Sequence, residues 1–299
     1  MLREKLRSNK DGRPTEIEAW TNLRLVHPAS RFIVPYLYQI RLSPNSVSII
    51  GTLFAVLAGV CFLLIPAPWG GLAAIVLLFW RHVFDGADGL LARYTGQASA
   101  KGDIIDGLCD ALALVGVHAA LAIHFFKDFG VEIALPVAVA GIFSYALQAR
   151  TYEATRRQYL YWTRGRAILT SGAPGEDRIP NNEFNTFKAV WHLYFDARGI
   201  DSAQVTNAME AAQIVGGNSV DHARNTYKRY KKTVVTRCGV LGENQKTIAT
   251  GAAMVMGSSA LAYVYLIVAA NIFLIGLLIW RRSVDIRLCR ALSAQTIDK

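Results

Sequence analysis

Residues 85–110 read Asp85-Gly86-Ala87-Asp88-Gly89-Leu90-Leu91-Ala92-Arg93, then eight residues, then Gly102-Asp103-Ile104-Ile105-Asp106-Gly107-Leu108-Cys109-Asp110. Asp85 and Asp88 are three apart and Asp106 and Asp110 four apart, so on helices each pair shares one face. A short basic loop joins the two stretches and lets those faces meet. Four carboxylates at a membrane boundary are costly unless something positive neutralises them, which marks them as functional candidates. Their hard oxygens suit Mg²⁺, Mn²⁺ or Ca²⁺. A site of charge near −4 has capacity for about two such ions, which would clamp a diphosphate and stabilise its entering and leaving oxygens. Arg93 and Lys101, flanking the loop, suit the remaining phosphate charge. Gly86, Gly89, Gly102 and Gly107, with Ala92 nearly as small, allow a close approach of backbone to backbone or to a flat ligand; ordinary small-residue packing is the lesser alternative, with more weight at Gly86 and Gly107 than at the others.

Outward from this stretch the chain is apolar. Of 299 residues 53% are hydrophobic and only 18% charged, which excludes an ordinary soluble domain. A span needs roughly 20 apolar residues, and candidates run over about 47–65, ending at Pro66-Ala67-Pro68, then 71–84 leading into the aspartates, 102–126 and 133–147. Residues 149–246 hold no membrane-length run, and an apolar block of 34 residues follows at 247–280. That block is long for one helix and short for two.

Charge placement resolves it. Basic residues concentrate on cytoplasmic loops. Residues 1–45 carry eight Lys/Arg against four Asp/Glu, residues 151–246 fourteen against nine, and the tail from Arg281 five against two, whereas the loop at Lys127, Asp128 and Glu132 is net negative. Only six crossings put every basic segment on one side, so the sequence predicts an all-α integral membrane protein with six transmembrane helices and a tight hairpin near Ala269–Asn271. The organisation predicted is a cytosolic N-terminal segment at 1–45, helices 1–4 and the acidic motif at 46–150, a cytosolic insert at 151–246, helices 5 and 6 at 247–283 and a cytosolic tail at 284–299. The polar first thirty residues argue against a cleavable signal peptide.

Other residues carry less. The N-terminal segment, with Trp20, Leu23, Leu25, Phe32, Ile33 and Tyr36 among arginines, suits helices lying on the membrane surface or packed on the protein's own cytosolic face. His82 is a candidate neighbour of the carboxylates and otherwise a packed histidine, His118 and His124 read as satisfied inside the bundle, and Asp103 reads as a helix cap. The run from Arg224 to Lys232, interleaved with Tyr227 and Tyr230, superficially suggests nucleic acid; next to a membrane it suits anionic headgroups, phosphorylated substrate or a solvated helix face, and no nucleic-acid partner is expected. Cys61, Cys109, Cys238 and Cys289 form no CxxC pair and read as structural.

The motif resembles the signature of the CDP-alcohol phosphotransferase family, D-x2-D-G-x2-A-R-x8-G-x3-D-x3-D, with every fixed position and spacer in place. At residue frequencies of about 5 to 8%, a chance match is roughly 10⁻⁷ or rarer. Pro44-Asn45 before the first helix also looks like the family's usual entry. The resemblance implies an enzyme that moves a phospho-alcohol group, phosphatidyl above all, from a CDP-linked donor to an acceptor alcohol, releasing CMP and using Mg²⁺ or Mn²⁺. It implies that Asp85, Asp88 and Asp106 bind the metals and the CDP diphosphate, and that Asp110 is general base on the acceptor hydroxyl with a share in a second ion. It implies further that Gly89, Ala92 and Gly102 line the cytidine and diphosphate pocket, that Arg93, and with it Lys101, faces phosphate, and that the protein is a homodimer. The insert of nearly a hundred residues departs from the pattern and bears on acceptor choice. Gly107-Leu108-Cys109-Asp110 lacks the D-P-x-A-D-K form common among glycerophosphate-using members. Two rivals are weaker: membrane prenyltransferases generally hold their aspartate motifs over a hundred residues apart, and a metal- or proton-coupled transporter would be expected to carry carboxylates deeper in its other helices.

Overall fold

The computed structural model describes residues 15–164 and 201–293, and among them every regular element is helical. The remainder of the predicted N-terminal segment, insert and tail lies outside the described residues. After a widened turn at Asn22–Val26, the helices are α1 (His27–Gln39), α2 (Pro44–Leu64), α3 (Trp69–Thr95), α4 (Ala100–Phe129), α5 (Val131–Arg164), α6 (Ala203–Val215), α7 (Asn218–Cys238) and α8 (Glu243–Val255). The last, α9 (Ser259–Ser293), is one continuous helical stretch widened to π geometry at Val264–Ala269. Five of them, α2, α3, α4 from Lys101, α5 and α9, are long and apolar enough to cross a membrane.

Local signals explain the boundaries. Pro44 opens α2 behind a Ser43 cap whose Oγ accepts from the Ser46 N–H at 3.1 Å. Gly96, with φ at +70°, closes α3 in the left-handed conformation that glycine adopts without steric cost. Ser99, rather than Asp103, caps α4, its Oγ accepting from Gly102 N–H at 3.1 Å; Asp103 lies in the first turn, where a negative charge suits the helix dipole.

Two compact units are resolved by their internal contacts. One comprises the chain to Tyr145 together with Glu243–Ala269, the other Ala146–Gly242 together with the chain from Ala270.

In the first unit α2 packs along α3 and α4, while α3 also packs against α1 and α8. Its core is rich in small side chains, Ala55, Ala58, Ala74, Ala113 and Ala120 among them, which let membrane helices approach closely. Large apolar residues such as Leu53, Leu64, Val76, Leu112, Leu135 and Phe143 point outward, the inverse of a soluble fold. Helix α1 packs on the protein itself, one of the two readings of the N-terminal segment. Val34 and Leu37 pack with Leu90 and Leu91, and Ser30 Oγ donates to Val83 O at 2.8 Å, whereas Phe32, Tyr36 and Ile40 remain exposed.

The hairpin expected near Ala269–Asn271 is not there, because the chain is helical from Ser259 to Ser293. The break falls instead at Met256-Gly257-Ser258, with Gly257 at φ +67° and Ser258 Oγ accepting from Leu261 N–H at 3.4 Å. Helix α8 starts beside Arg81, its Glu243 Oε2 accepting from that guanidinium at 3.1 Å, and ends where the Met254–Val255 backbone lies against Gly71. A side chain at Gly71 would collide with that backbone, so glycine is required for the approach. Gly257 then meets Ala67 in the turn that precedes α3. Helix α8 therefore runs antiparallel to α3 along most of its length.

The second unit is built around buried charge. Lys231 Nζ donates to Asp201 and, at 2.5 Å, to Asp285; Arg281 Nη2 donates to Asp201 at 2.9 Å and Tyr227 Oη to the same carboxylate at 2.7 Å. Two cations against two carboxylates leave no net charge, which is what makes burial tolerable. Burial and the Asp201 carboxylate push the Tyr227 phenol well above its ordinary pKa, so it stays a donor. This corrects the reading of the basic run and tail as surface charge: in α7 Lys231 and Tyr227 are buried while Lys228, Arg229 and Lys232 are exposed, and Arg281 is buried too. Removing Lys231 leaves two buried carboxylates against the single cation of Arg281 and takes the cation from Asp285, so Lys231→Met should lower stability by about 3–5 kcal/mol. Chemical unfolding in detergent checks this, with the exposed Lys232→Met expected to shift by less than about 0.5 kcal/mol.

Candidate active site

All four aspartates line one cleft in the first unit, together with Ser48, Gly51, Thr52, Arg81 and Cys109. The spacing brings them there. Asp85 and Asp88 sit one turn apart near the end of α3, Asp106 and Asp110 one turn apart near the start of α4, and α2 closes the third side. One carboxylate oxygen from each of Asp85, Asp106 and Asp110 lies within 4.8 Å of the others, a spacing suited to a shared cation.

Asp88 is outside that triad. It is buried, accepts from Ser48 Oγ at 2.5 Å and from the Gly89 N–H, and lies within hydrogen-bonding reach of Asp106. The cleft thus has one open acidic corner and one that α2 holds by a hydroxyl. Ser48 and Thr52 are residues that sequence reasoning missed. Thr52 Oγ1 donates to Cys109 O at 3.1 Å and pins α2 to α4 beside the site. Their signal was available: two hydroxyls four apart in the otherwise apolar stretch 47–65 share one face.

Arg81 was missed as well. Its Nη2 donates to Asp110 Oδ1 at 2.6 Å and its Nη1 to Glu243 Oε2 at 3.1 Å. His82, considered a neighbour of the carboxylates, instead meets Arg81 Nη1 through Nδ1 at 3.0 Å and Thr247 Oγ1 through Nε2 at 2.9 Å. Glu243 is also reached by Tyr145 Oη at 3.4 Å, and Lys246 Nζ sits 3.5 Å from the centre of the Tyr145 ring. Five carboxylates thus meet two buried cations, an imbalance that leaves the site acidic and receptive to metal.

The predicted phosphate-facing residues lie along the motif rather than on the cleft wall. Gly89 faces the Arg93 guanidinium, an added Cβ coming within 3.4 Å of it, and Gly102 faces Ser99 and Asn45. Ala92 is partly buried and Lys101 exposed. Gly86 packs on Ser30 of α1 and so serves packing. His118 Nδ1 donates to Leu114 O at 3.0 Å while its buried Nε2 meets no hydrogen-bonding group among the described residues, His124 Nδ1 pairs with Ser259 Oγ at 3.1 Å, and all four cysteines are free thiols.

Residues 41–168 match the family described as CDP-alcohol phosphatidyltransferase, in agreement with the resemblance carried by the motif. No curated protein matches the chain.

Proposed function

With that family match over residues 41–168 as premise, we propose that the protein transfers a phospho-alcohol group, phosphatidyl above all, from a CDP-linked donor to an acceptor alcohol in phospholipid synthesis. The observation that carries the proposal is the convergence of Asp85, Asp106 and Asp110 within 4.8 Å, with Asp88 lining the same cleft. That all-oxygen, anionic donor set fits Mg²⁺ or Mn²⁺. About two such ions, held by Asp85, Asp88 and Asp106, would supply charge neutralisation of the diphosphate and of departing CMP.

The chain's own residues do the rest. Gly89, Ala92 and Gly102 leave room beside the cleft for the nucleotide, and Arg93 and Lys101 meet its phosphates. Asp110 accepts the proton of the acceptor hydroxyl as that oxygen bonds to the donor phosphorus on the alcohol side of the pyrophosphate. The bond from that phosphorus to the bridging oxygen breaks and CMP carries its electron pair away. Ser48 holds Asp88 in place, and the apolar helices keep bulk water from one side of the cleft.

Six crossings complete the reading: α2, α3, α4, α5, α8 and α9, with α8 short at about 20 Å. Its antiparallel course along α3 supports counting it, and the basic 1–45, 151–246 and 281–299 segments then share the cytosolic side with the aspartates. A homodimer belongs to the same proposal, with mass photometry in detergent as its check.

The test is to incubate purified protein with Mg²⁺ or Mn²⁺ and a panel of CDP-donors and alcohols, following CMP and lipid products by mass. Metal-dependent CMP release with a matching lipid product is expected. CMP-free transport of a cation, or release indifferent to EDTA, would overturn the reading.

A further inference from the structure

The fourth aspartate is not left to find its own orientation. Arg81, on α3, is buried with its guanidinium shared between two carboxylates from two other helices, Asp110 on α4 at 2.6 Å and Glu243 on α8 at 3.1 Å. Its fork is thereby occupied on both terminal nitrogens, and His82 Nδ1 closes on Nη1 at 3.0 Å. Glu243 is held in turn from α5 by Tyr145 Oη at 3.4 Å, and Tyr145 is braced by Lys246 through its ring and, at 3.3 Å, through its carbonyl. A planar fork that bridges two carboxylates fixes both in direction, and charge-assisted bonds of this kind are about twice as strong as neutral ones. A carboxylate has two oxygens, so committing Oδ1 to Arg81 leaves one for the cleft that Asp110 lines.

We propose that Arg81, seated on Glu243, is a positioning residue for Asp110: it takes one oxygen out of metal coordination and presents the other to the acceptor hydroxyl. Asp110 then works as a directed base rather than as a bidentate metal ligand, while Asp85, Asp88 and Asp106 carry the ions. This rests on the transferase reading and deepens it by naming the residues that orient its base. Lysine cannot reproduce the arrangement, since a single ammonium does not span both carboxylates in fixed directions.

The experiment is a double-mutant cycle on the full-length protein in detergent, using Arg81→Lys, Glu243→Gln and the pair, with CMP release as activity and Mn²⁺ electron paramagnetic resonance as an activity-independent readout. Each single variant is expected to lower kcat by about 10-fold, the scale of a small misplacement of a reacting group. Donor KM and Mn²⁺ affinity should stay within about twofold, because the ion ligands are untouched. The pair should be no worse than Arg81→Lys alone, since Glu243 acts through the fork that lysine lacks. Tyr145→Phe, which removes one hydroxyl from Glu243, gives a milder version of the same pattern should Arg81→Lys fail to fold. Additive losses, Mn²⁺ affinity falling in step with kcat, or unchanged kcat in Glu243→Gln would each overturn the proposal. Absence of CMP release from the native protein would instead overturn the transferase reading beneath it.

Discussion

Replacing Asp110 by asparagine is expected to lower turnover by about 10³-fold while donor affinity stays within several-fold, because general-base catalysis contributes about 10²–10⁴. Asparagine keeps the shape of the side chain and an oxygen that can accept from Arg81 Nη2, so the contact seen at 2.6 Å has a substitute. Arg81 also retains Glu243, and the buried guanidinium is not left without a partner. What is lost is the basic oxygen. CMP release under saturating donor gives kcat, and isothermal titration with the donor gives the dissociation constant. Near-normal turnover would mean that another group takes the proton.

Asp85→Asn and Asp106→Asn are expected to fail differently, losing Mn²⁺ binding by about 10²-fold or more and donor binding with it. Their oxygens come from two helices and lie within 4.8 Å of each other and of Asp110, so each supplies charge that no neighbour replaces. An amide is a poorer ligand for a hard cation than a carboxylate, and the net negative charge falls by one. Turnover should be undetectable in both, with donor titrations flat in Mn²⁺ where Asp110→Asn still titrates. Equal behaviour of all three variants would erase the division of labour between base and ion ligands.

The motif was legible because each element of it is local. Three- and four-residue spacings on helices place Asp85 with Asp88 and Asp106 with Asp110 whatever the rest of the chain does, and a short connection brings the faces together. The helical membrane class was legible for the same reason, since length and hydropathy are properties of contiguous segments. What escaped was set by partners far along the chain. Arg81 meets Glu243 across 162 positions and Ser48 meets Asp88 across 40, separations over which periodicity carries no information. Lys231 and Arg281 escaped for a related reason: counting charges on a segment assumes that they face water, and here Asp201 and Asp285 neutralise them inside the second unit. The hairpin was misplaced because 247–280 was read as one apolar block and divided in its last third, near Ala269–Asn271. Gly257-Ser258, a left-handed glycine followed by a helix cap, marks the break nearer its start.

The central claim is that aspartates from α3 and α4 trap cations that grip a pyrophosphate, and the most direct measurement is calorimetric titration of the native protein with a CDP-alcohol in Mn²⁺ and again in EDTA. Saturable binding in Mn²⁺ that disappears in EDTA is the expected result. Binding of equal affinity in both would contradict it, since the diphosphate would then be held without the ions that the four carboxylates are arranged to carry.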